Sequence, residues 1–186
     1  MGAQIQAEFI ENFLIVWDTA KGSELYRQGY YGKPLGIPKP KLMDFTVPLI
    51  LDLMEGLYLA EKGTLSVREG EQRKKKVSLA KLKQRARKLY EDFDLKYAVY
   101  HDLRDHSLIV TPGIKFGCDF AVYKRGPGFE HAPFMVSVRK ATDEITATEL
   151  VKAGRLATTV RKRFIIAVPG AETDKTRYLM FKWFKA

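Results

Sequence analysis

Cysteine is almost missing from this sequence. Of 186 residues only Cys118 carries a thiol, so no intramolecular bridge can form and a secreted, disulfide-stapled scaffold is excluded. Long apolar runs are missing too. None approaches the roughly 18 residues that a membrane-spanning helix requires, and the opening Met-Gly-Ala-Gln-Ile-Gln-Ala-Glu lacks a basic-then-apolar leader pattern. The expectation is a cytoplasmic chain with no membrane partner. Histidine is scarce, at positions 101, 106 and 131 only. None of the three lies with Cys118 or an acid at zinc-ligand spacing. A Gly-rich phosphate loop, a dinucleotide fingerprint and a Gly-x-Ser-x-Gly elbow are all absent. No cofactor and no metal site are expected.

Acidic residues are in deficit, 22 against 32 basic, which leaves a net charge of +10 and a pI near 9.6. The surplus is uneven. Residues 1–95 hold 16 basic and 13 acidic side chains, a balance of +3, and residues 96–186 hold 16 and 9, a balance of +7. Such a surplus favours a polyanion, and nucleic acid is the commonest one. The remaining composition is that of a folded chain, 46% apolar and 12% aromatic. Its densest basic stretch, Arg73-Lys74-Lys75-Lys76 followed by Lys81, Lys83, Arg85, Arg87 and Lys88, reads as the solvated side of a helix. Ser78 would cap that helix, and Leu79, Leu82, Ala86, Leu89 and Phe93 would form its apolar stripe.

The pattern along the chain predicts two α/β domains, 1–95 and 96–186. In the first, Ala7–Ile10 and Phe13–Trp17 read as paired strands, and Asp18 caps a helix to about Arg27. Thr46–Lys62 reads as a buried helix with Pro48 in its first turn, stopped by Gly63. In the second, the expected order is helix (Tyr97–Asp105), three strands, helix (Thr146–Val160) and two strands. These strands are Ser107–Thr111, Gly117–Tyr123, Pro133–Val138, Phe164–Val168 and Tyr178–Phe184. The fold class is therefore α/β (α+β), with a small mixed N-terminal domain and an α/β C-terminal domain. A metal-dependent nuclease on such a fold needs two carboxylates. Asp119 would serve as the first, but the next strand offers Ser137-Val138-Arg139, so a two-acid Mg²⁺ site is disfavoured. His131 stands out, because it sits in the Gly- and Pro-rich loop Arg125–Pro133 between two strands, where a rigid scaffold can present a catalytic side chain.

Several runs resemble the archaeal tRNA-splicing endonucleases, the tRNA-intron lyases. They are Tyr-Gly-Lys-Pro-Leu at 31–35, Glu-Gly-Leu-Tyr-Leu-Ala-Glu-Lys-Gly at 55–63 and Tyr100-His-Asp-Leu-Arg104. The strongest are Pro112-Gly-Ile-Lys-Phe-Gly-Cys-Asp-Phe-Ala-Val-Tyr123, His131-Ala-Pro-Phe-Met-Val136 and Gly154-Arg-Leu-Ala-Thr-Thr-Val-Arg-Lys162. Their order and spacing span nearly the whole chain. The resemblance implies a restriction-endonuclease-like C-terminal nuclease domain and metal-independent cleavage of precursor tRNA at a bulge-helix-bulge by a triad of Tyr123, His131 and Lys162. It further implies that Arg155 and Arg177 hold a flipped-out bulge base, whose face a guanidinium stacks on with little regard for base identity. The acidic residues Glu172 and Asp174, in the turn between the last two strands, would dock into a neighbouring subunit. An inserted loop favours an assembly of two catalytic plus two structural chains, with a homotetramer and a homodimer left open. Relative to the shortest family pattern, Gly36–Val47 is inserted, and its Pro38-Lys39-Pro40-Lys41 makes a stiff basic loop in which Lys39 and Lys41 are candidate RNA contacts.

The implied chemistry is sensible on its own terms. A ribose 2′-OH can attack the adjacent phosphate and leave a 2′,3′-cyclic phosphate and a 5′-OH. That needs a base, an acid and a cation on the non-bridging oxygens. A histidine, ordinarily titrating near pH 6.5, suits the acid and a lysine the cation. A tyrosine near 10 is a poor base unless cations such as Lys162, Lys124 or Arg125 stabilise its anion. The competing readings are a non-catalytic RNA-binding or structural subunit of the same assembly, and a metal-dependent DNA nuclease.

Overall fold

The computed structural model describes residues 4–38, 40, 42–70, 75–159, 162–170 and 175–181. The chain divides into two compact units, Met1–Phe93 and Asp94–Ala186, and both are mixed α/β, the class expected from the sequence.

The first unit opens with a hairpin, β1 (Ile5–Ile10) and β2 (Phe13–Val16), in which Ile5, Ala7, Phe9, Leu14 and Val16 turn inward. Asp18 caps α1 (Thr19–Gly29) by accepting from the Lys21 N–H at 3.0 Å. The short strands β3 (Lys33–Pro34) and β4 (Leu49–Leu51) follow, then α2 (Leu53–Glu61), β5 (Leu65–Glu69), β6 (Lys75–Lys76) and α3 (Leu79–Leu89). The sheet order is β3-β4-β2-β1-β5-β6, with β1 and β5 parallel and the other pairs antiparallel.

Two expectations are corrected here. The helix expected over Thr46–Lys62 starts only at Leu53, and Leu49–Leu51 is a strand that lays Leu51 opposite Leu14 and Leu49 opposite Val16. The run Leu49-Ile50-Leu51 suits either period. What separates strand from helix is Asp52, whose carboxylate accepts from the Glu55 N–H while Glu55 accepts from the Asp52 N–H, a reciprocal cap that fixes the helix start. Gly56 lets α2 press onto β2, since a Cβ there would lie 1.7 Å from a Leu14 methyl. Secondly, the basic helix stops at Leu89 rather than reaching Phe93. Tyr90 leaves the helix with extended backbone, Asp92 adopts a positive φ of 51°, and Phe93 begins the next helix. Two of the basic side chains on α3 are not simply solvated. Lys81 and Arg85 both pair with Glu69 of β5, and the Lys81 bond holds the Glu69 carboxyl below its ordinary range.

The second unit follows α4 (Phe93–Asp105) with β7 (Ile109–Pro112), a 3-10 turn (Ile114–Phe116), β8 (Phe120–Tyr123), β9 (Phe134–Val138), α5 (Ala147–Thr159), β10 (Arg163–Val168) and β11 (Arg177–Phe181). Its sheet runs β11-β10-β9-β8-β7. Only β9 and β10 are parallel, and α5 is their crossover. Thr146 and Glu149 cap α5 reciprocally, with the Thr146 hydroxyl accepting from the Glu149 N–H and the Glu149 carboxylate from the Thr146 N–H. Val110, Val122, Met135 and Ile166 are buried in the sheet, and Tyr97, Val99, Tyr100 and Leu103 are buried on α4. Buried Arg104 is satisfied, its guanidinium donating to the Val110 carbonyl at 3.0 Å and the Tyr100 hydroxyl at 3.1 Å.

Candidate active site

Sheet register brings three of the singled-out residues to one end of the second unit. Val122 of β8 lies opposite Phe134 of β9, and Phe134 lies opposite Arg163 of β10. One step outward along the same register places Tyr123, Pro133 and Lys162 in a row. The Arg163 N–H closes that row by donating to the Pro133 carbonyl at 2.8 Å. His131 stands two residues before Pro133, exposed at the mouth of the loop, whereas Tyr123 is half-buried. Tyr123, His131 and Lys162 therefore share one end of three neighbouring strands, although 39 positions separate the first from the last.

Lys162 is the most constrained of the three. Its Nζ donates to the Ala132 carbonyl at 2.6 Å, one residue from His131, and lies 5.0 Å from the centre of the Phe116 ring. Partial burial lowers its pKa from the ordinary 10.5. The neighbour Arg163 turns to the other side, its guanidinium 6.0 Å from the Phe134 ring, and Lys124 approaches the same ring at 5.9 Å. Lys115, Lys124, Arg125 and Arg163 are exposed around this end, which makes its surface cationic. A cavity of about 270 Å³ lies on the Lys162 side of the sheet, walled by Phe116, Phe164, Ile166 and Leu150, with Arg139 and Lys152 among its lining residues.

The residues weighed for other chemistry are accounted for. Asp119 is used structurally: it ties β8 to β9 by accepting from the Val138 N–H at 2.8 Å and pairs with Lys96 at 3.1 Å. Among the described residues no three His, Cys, Asp or Glu side chains gather where they could hold a metal ion. Burial pushes the Cys118 thiol up to about 11, which keeps it protonated and a poor nucleophile at neutral pH. His101 on α4 and His106 just past its end each face an acid one turn away, Asp105 at 3.3 Å and Asp102 at 3.5 Å.

The two arginines lie apart from the row. Arg155 is exposed on α5, one turn before Thr159, on the half of the helix leading to Lys162. Arg177 opens β11 opposite Val168, the end of β10 remote from Lys162. Six strand positions at about 3.3 Å each set it roughly 20 Å along the sheet from the Lys162 row. Lys39, Lys41, Glu172 and Asp174 lie outside the described residues. Sequence reasoning missed Phe116, which seats the Lys162 ammonium from a 3-10 turn 46 positions earlier. It missed the Ala132 carbonyl for the same reason, since neither carries a motif of its own.

Comparison with known proteins bears on both units. The family model described as "tRNA intron endonuclease, N-terminal domain" matches residues 5–83, and "tRNA intron endonuclease, catalytic C-terminal domain" matches residues 93–178. A protein from Hyperthermus butylicus named tRNA-splicing endonuclease is 48% identical over 171 residues, 92% of this chain and 93% of its own length. Proteins of the same name from Sulfolobus acidocaldarius and Saccharolobus islandicus are 40% and 39% identical, each over 97% of this chain and 99% of their own.

Proposed function

Because the chain belongs to the tRNA intron endonuclease family and carries its catalytic C-terminal domain, we propose that it is the catalytic subunit of a tRNA-splicing endonuclease. It cuts precursor tRNA at the bulge-helix-bulge of exon–intron junctions, without a metal ion, and leaves 2′,3′-cyclic phosphate and 5′-OH ends. The observation that carries this reading is the convergence of Tyr123, His131 and Lys162 on one end of three adjacent strands.

In this mechanism Tyr123 takes the proton of the 2′-OH as that oxygen bonds to phosphorus. His131 gives a proton to the leaving 5′-oxygen as the P–O5′ bond breaks. Lys162 stabilises the charge that grows on the non-bridging oxygens, where a pre-aimed donor is most effective. The exposed position of His131 suits a group that must meet a large substrate and regain its proton from water. A purely structural subunit has no evident use for a half-buried ammonium bonded to the backbone beside a loop histidine.

Arg155 and Arg177 hold the RNA rather than touch the reacting phosphate, since Arg177 is remote from the Lys162 row. If both grip one bulged base, Arg155→Ala and Arg177→Ala each weaken bulge positioning and combine far from additively. Independent, additive losses would argue against a shared base. Lys39 and Lys41 remain candidate phosphate contacts of the inserted loop.

The chain is proposed to act within an assembly of two catalytic and two structural chains in the cytoplasm, Glu172 and Asp174 docking into a neighbour. In support, β11 is an edge strand that exposes Tyr178, Leu179 and Met180 by 39%, 53% and 50%, an apolar edge that favours pairing with a partner. No helix among the described residues is long and apolar enough to cross a membrane. The test is cleavage of an intron-containing tRNA by the purified chain, alone and mixed with a candidate structural chain, with sedimentation in parallel and excess EDTA present. Cutting at both junctions by the mixed assembly in EDTA is expected. Full activity from a stable monomer would refute the assembly, and loss of activity in EDTA would favour the metal-dependent alternative.

A further inference from the structure

The loop that joins Tyr123 to His131 has seven intervening residues, and two of them, Gly126 and Gly128, adopt φ of 115° and 93°. Glycine-rich backbone of this kind has many open conformations and by itself gives His131 no fixed position. One side chain closes it. Glu130 Oε1 accepts from the Lys124 N–H and from the Arg125 N–H, both at 2.6 Å. Returning bonds from the Phe129 and Glu130 N–H groups reach the Gly126 carbonyl at 3.3 Å, and Pro127 bridges to Glu130. The residue just after Tyr123 and the residue just before His131 are thereby pinned side by side.

The geometry points to Glu130 as a positioning residue for the cleavage reaction, a carboxylate clamp that holds His131 at a fixed distance from Tyr123. This rests on the reading of His131 as the acid. Consecutive N–H groups such as those of Lys124 and Arg125 form a concavity that suits an anion, and Glu130 supplies that anion from within the chain. Bonds from N–H groups to an ionised acceptor are roughly twice as strong as neutral ones. The Arg125 N–H, followed by those of Lys124 and Gly126, holds the Glu130 carboxyl below its ordinary range, so the clamp is charged at neutral pH and is lost only in acid, as pH falls through that lowered value. A negative charge at this end of the sheet does nothing for RNA affinity, because the substrate is itself an anion. Loss of the clamp is therefore expected to slow the chemistry without weakening binding, a separation that a general folding defect does not produce.

The experiment compares five proteins within the assembled endonuclease: parent, Glu130→Ala, Glu130→Gln, His131→Ala and the Glu130→Ala/His131→Ala double variant. Single-turnover cleavage and Kd for an intron-containing tRNA are measured for each. Glu130→Ala should cut about 10- to 100-fold more slowly, the scale expected when a catalytic group is misplaced by an ångström or less, with Kd unchanged or tighter. Glu130→Gln keeps an oxygen acceptor for the same N–H groups but not the charge, and should recover part of the rate. On the His131→Ala background, Glu130→Ala should cost nothing more, since the group it positions is already gone. If His131→Ala is crippled while Glu130→Ala cuts within twofold of the parent, the clamp is overturned and the site stands. A double variant that loses the full Glu130→Ala factor beyond His131→Ala, or a Glu130→Ala chain that fails to assemble, overturns it as well. Parental rates in His131→Ala would overturn the reading of His131 as the acid, and the clamp with it.

Discussion

Replacing His131 by alanine is expected to lower the single-turnover cleavage rate by about 10²–10⁴-fold, the usual contribution of one general acid, with little change in RNA affinity. The imidazole is exposed at the loop mouth and forms no part of the core, so its removal leaves no cavity. The leaving 5′-oxygen is a poor leaving group unless it is protonated as the P–O bond breaks, and water must then replace a positioned acid. Affinity should hold because the lost side chain is one contact among many along the RNA. Rate and Kd measured together decide the point. A large rise in Kd at near-parental rate would make His131 a binding residue instead.

Lys162→Ala should cost about 10²–10³-fold in the same assay, the range seen when one donor to a developing oxyanion is removed. Here both charge and position are lost, for the Nζ is fixed by the Ala132 carbonyl and the Phe116 ring. Lys162→Arg should restore only part of the rate, because a planar guanidinium does not fit a seat built for an ammonium. The pH dependence separates charge from shape. Burial lowers the Lys162 pKa from 10.5, and the charged form is the useful one. Activity should therefore fall as pH rises through that lowered value, earlier than for an ordinary lysine. In Lys162→Arg, which keeps its charge, that alkaline fall should disappear. An unchanged alkaline limb would assign it to another group.

The candidate residues Tyr123, His131 and Lys162 were reached through the family resemblance, each beside one of the runs that carry it: Tyr123 ends a β-branched and aromatic strand, His131 opens a strand after a Gly-Pro loop, and Lys162 follows an amphipathic helix. The order of elements in the second unit, α-β-β-β-α-β-β, was also legible, since glycines and prolines punctuate it. What composition and periodicity do not contain is register. Nothing local says that Tyr123 and Lys162 fall in the same row as Pro133; antiparallel and parallel pairing around β9 decide that. Leu49–Leu51 was misread as helix because three consecutive apolar residues satisfy either period, and only the Asp52–Glu55 cap separates the two. Phe116 was invisible for a different reason. Its role depends on a 3-10 turn folding under Lys162, a long-range contact with no spacing signature.

In the proposed reaction the ribose 2′-OH at the cut site is the nucleophile, with Tyr123 as its base, His131 as the acid at the leaving oxygen and Lys162 on the non-bridging oxygens. The most direct test places a single 2′-deoxy nucleotide immediately 5′ to the scissile phosphate of an intron-containing tRNA and leaves the other junction as ribose. The assembled enzyme should cut the ribose junction at its normal rate, leaving a 2′,3′-cyclic phosphate and a 5′-OH, and should leave the deoxy junction intact. Cleavage through the deoxy position would contradict the account, because a hydrolytic nucleophile would then be doing the chemistry assigned here to the RNA itself.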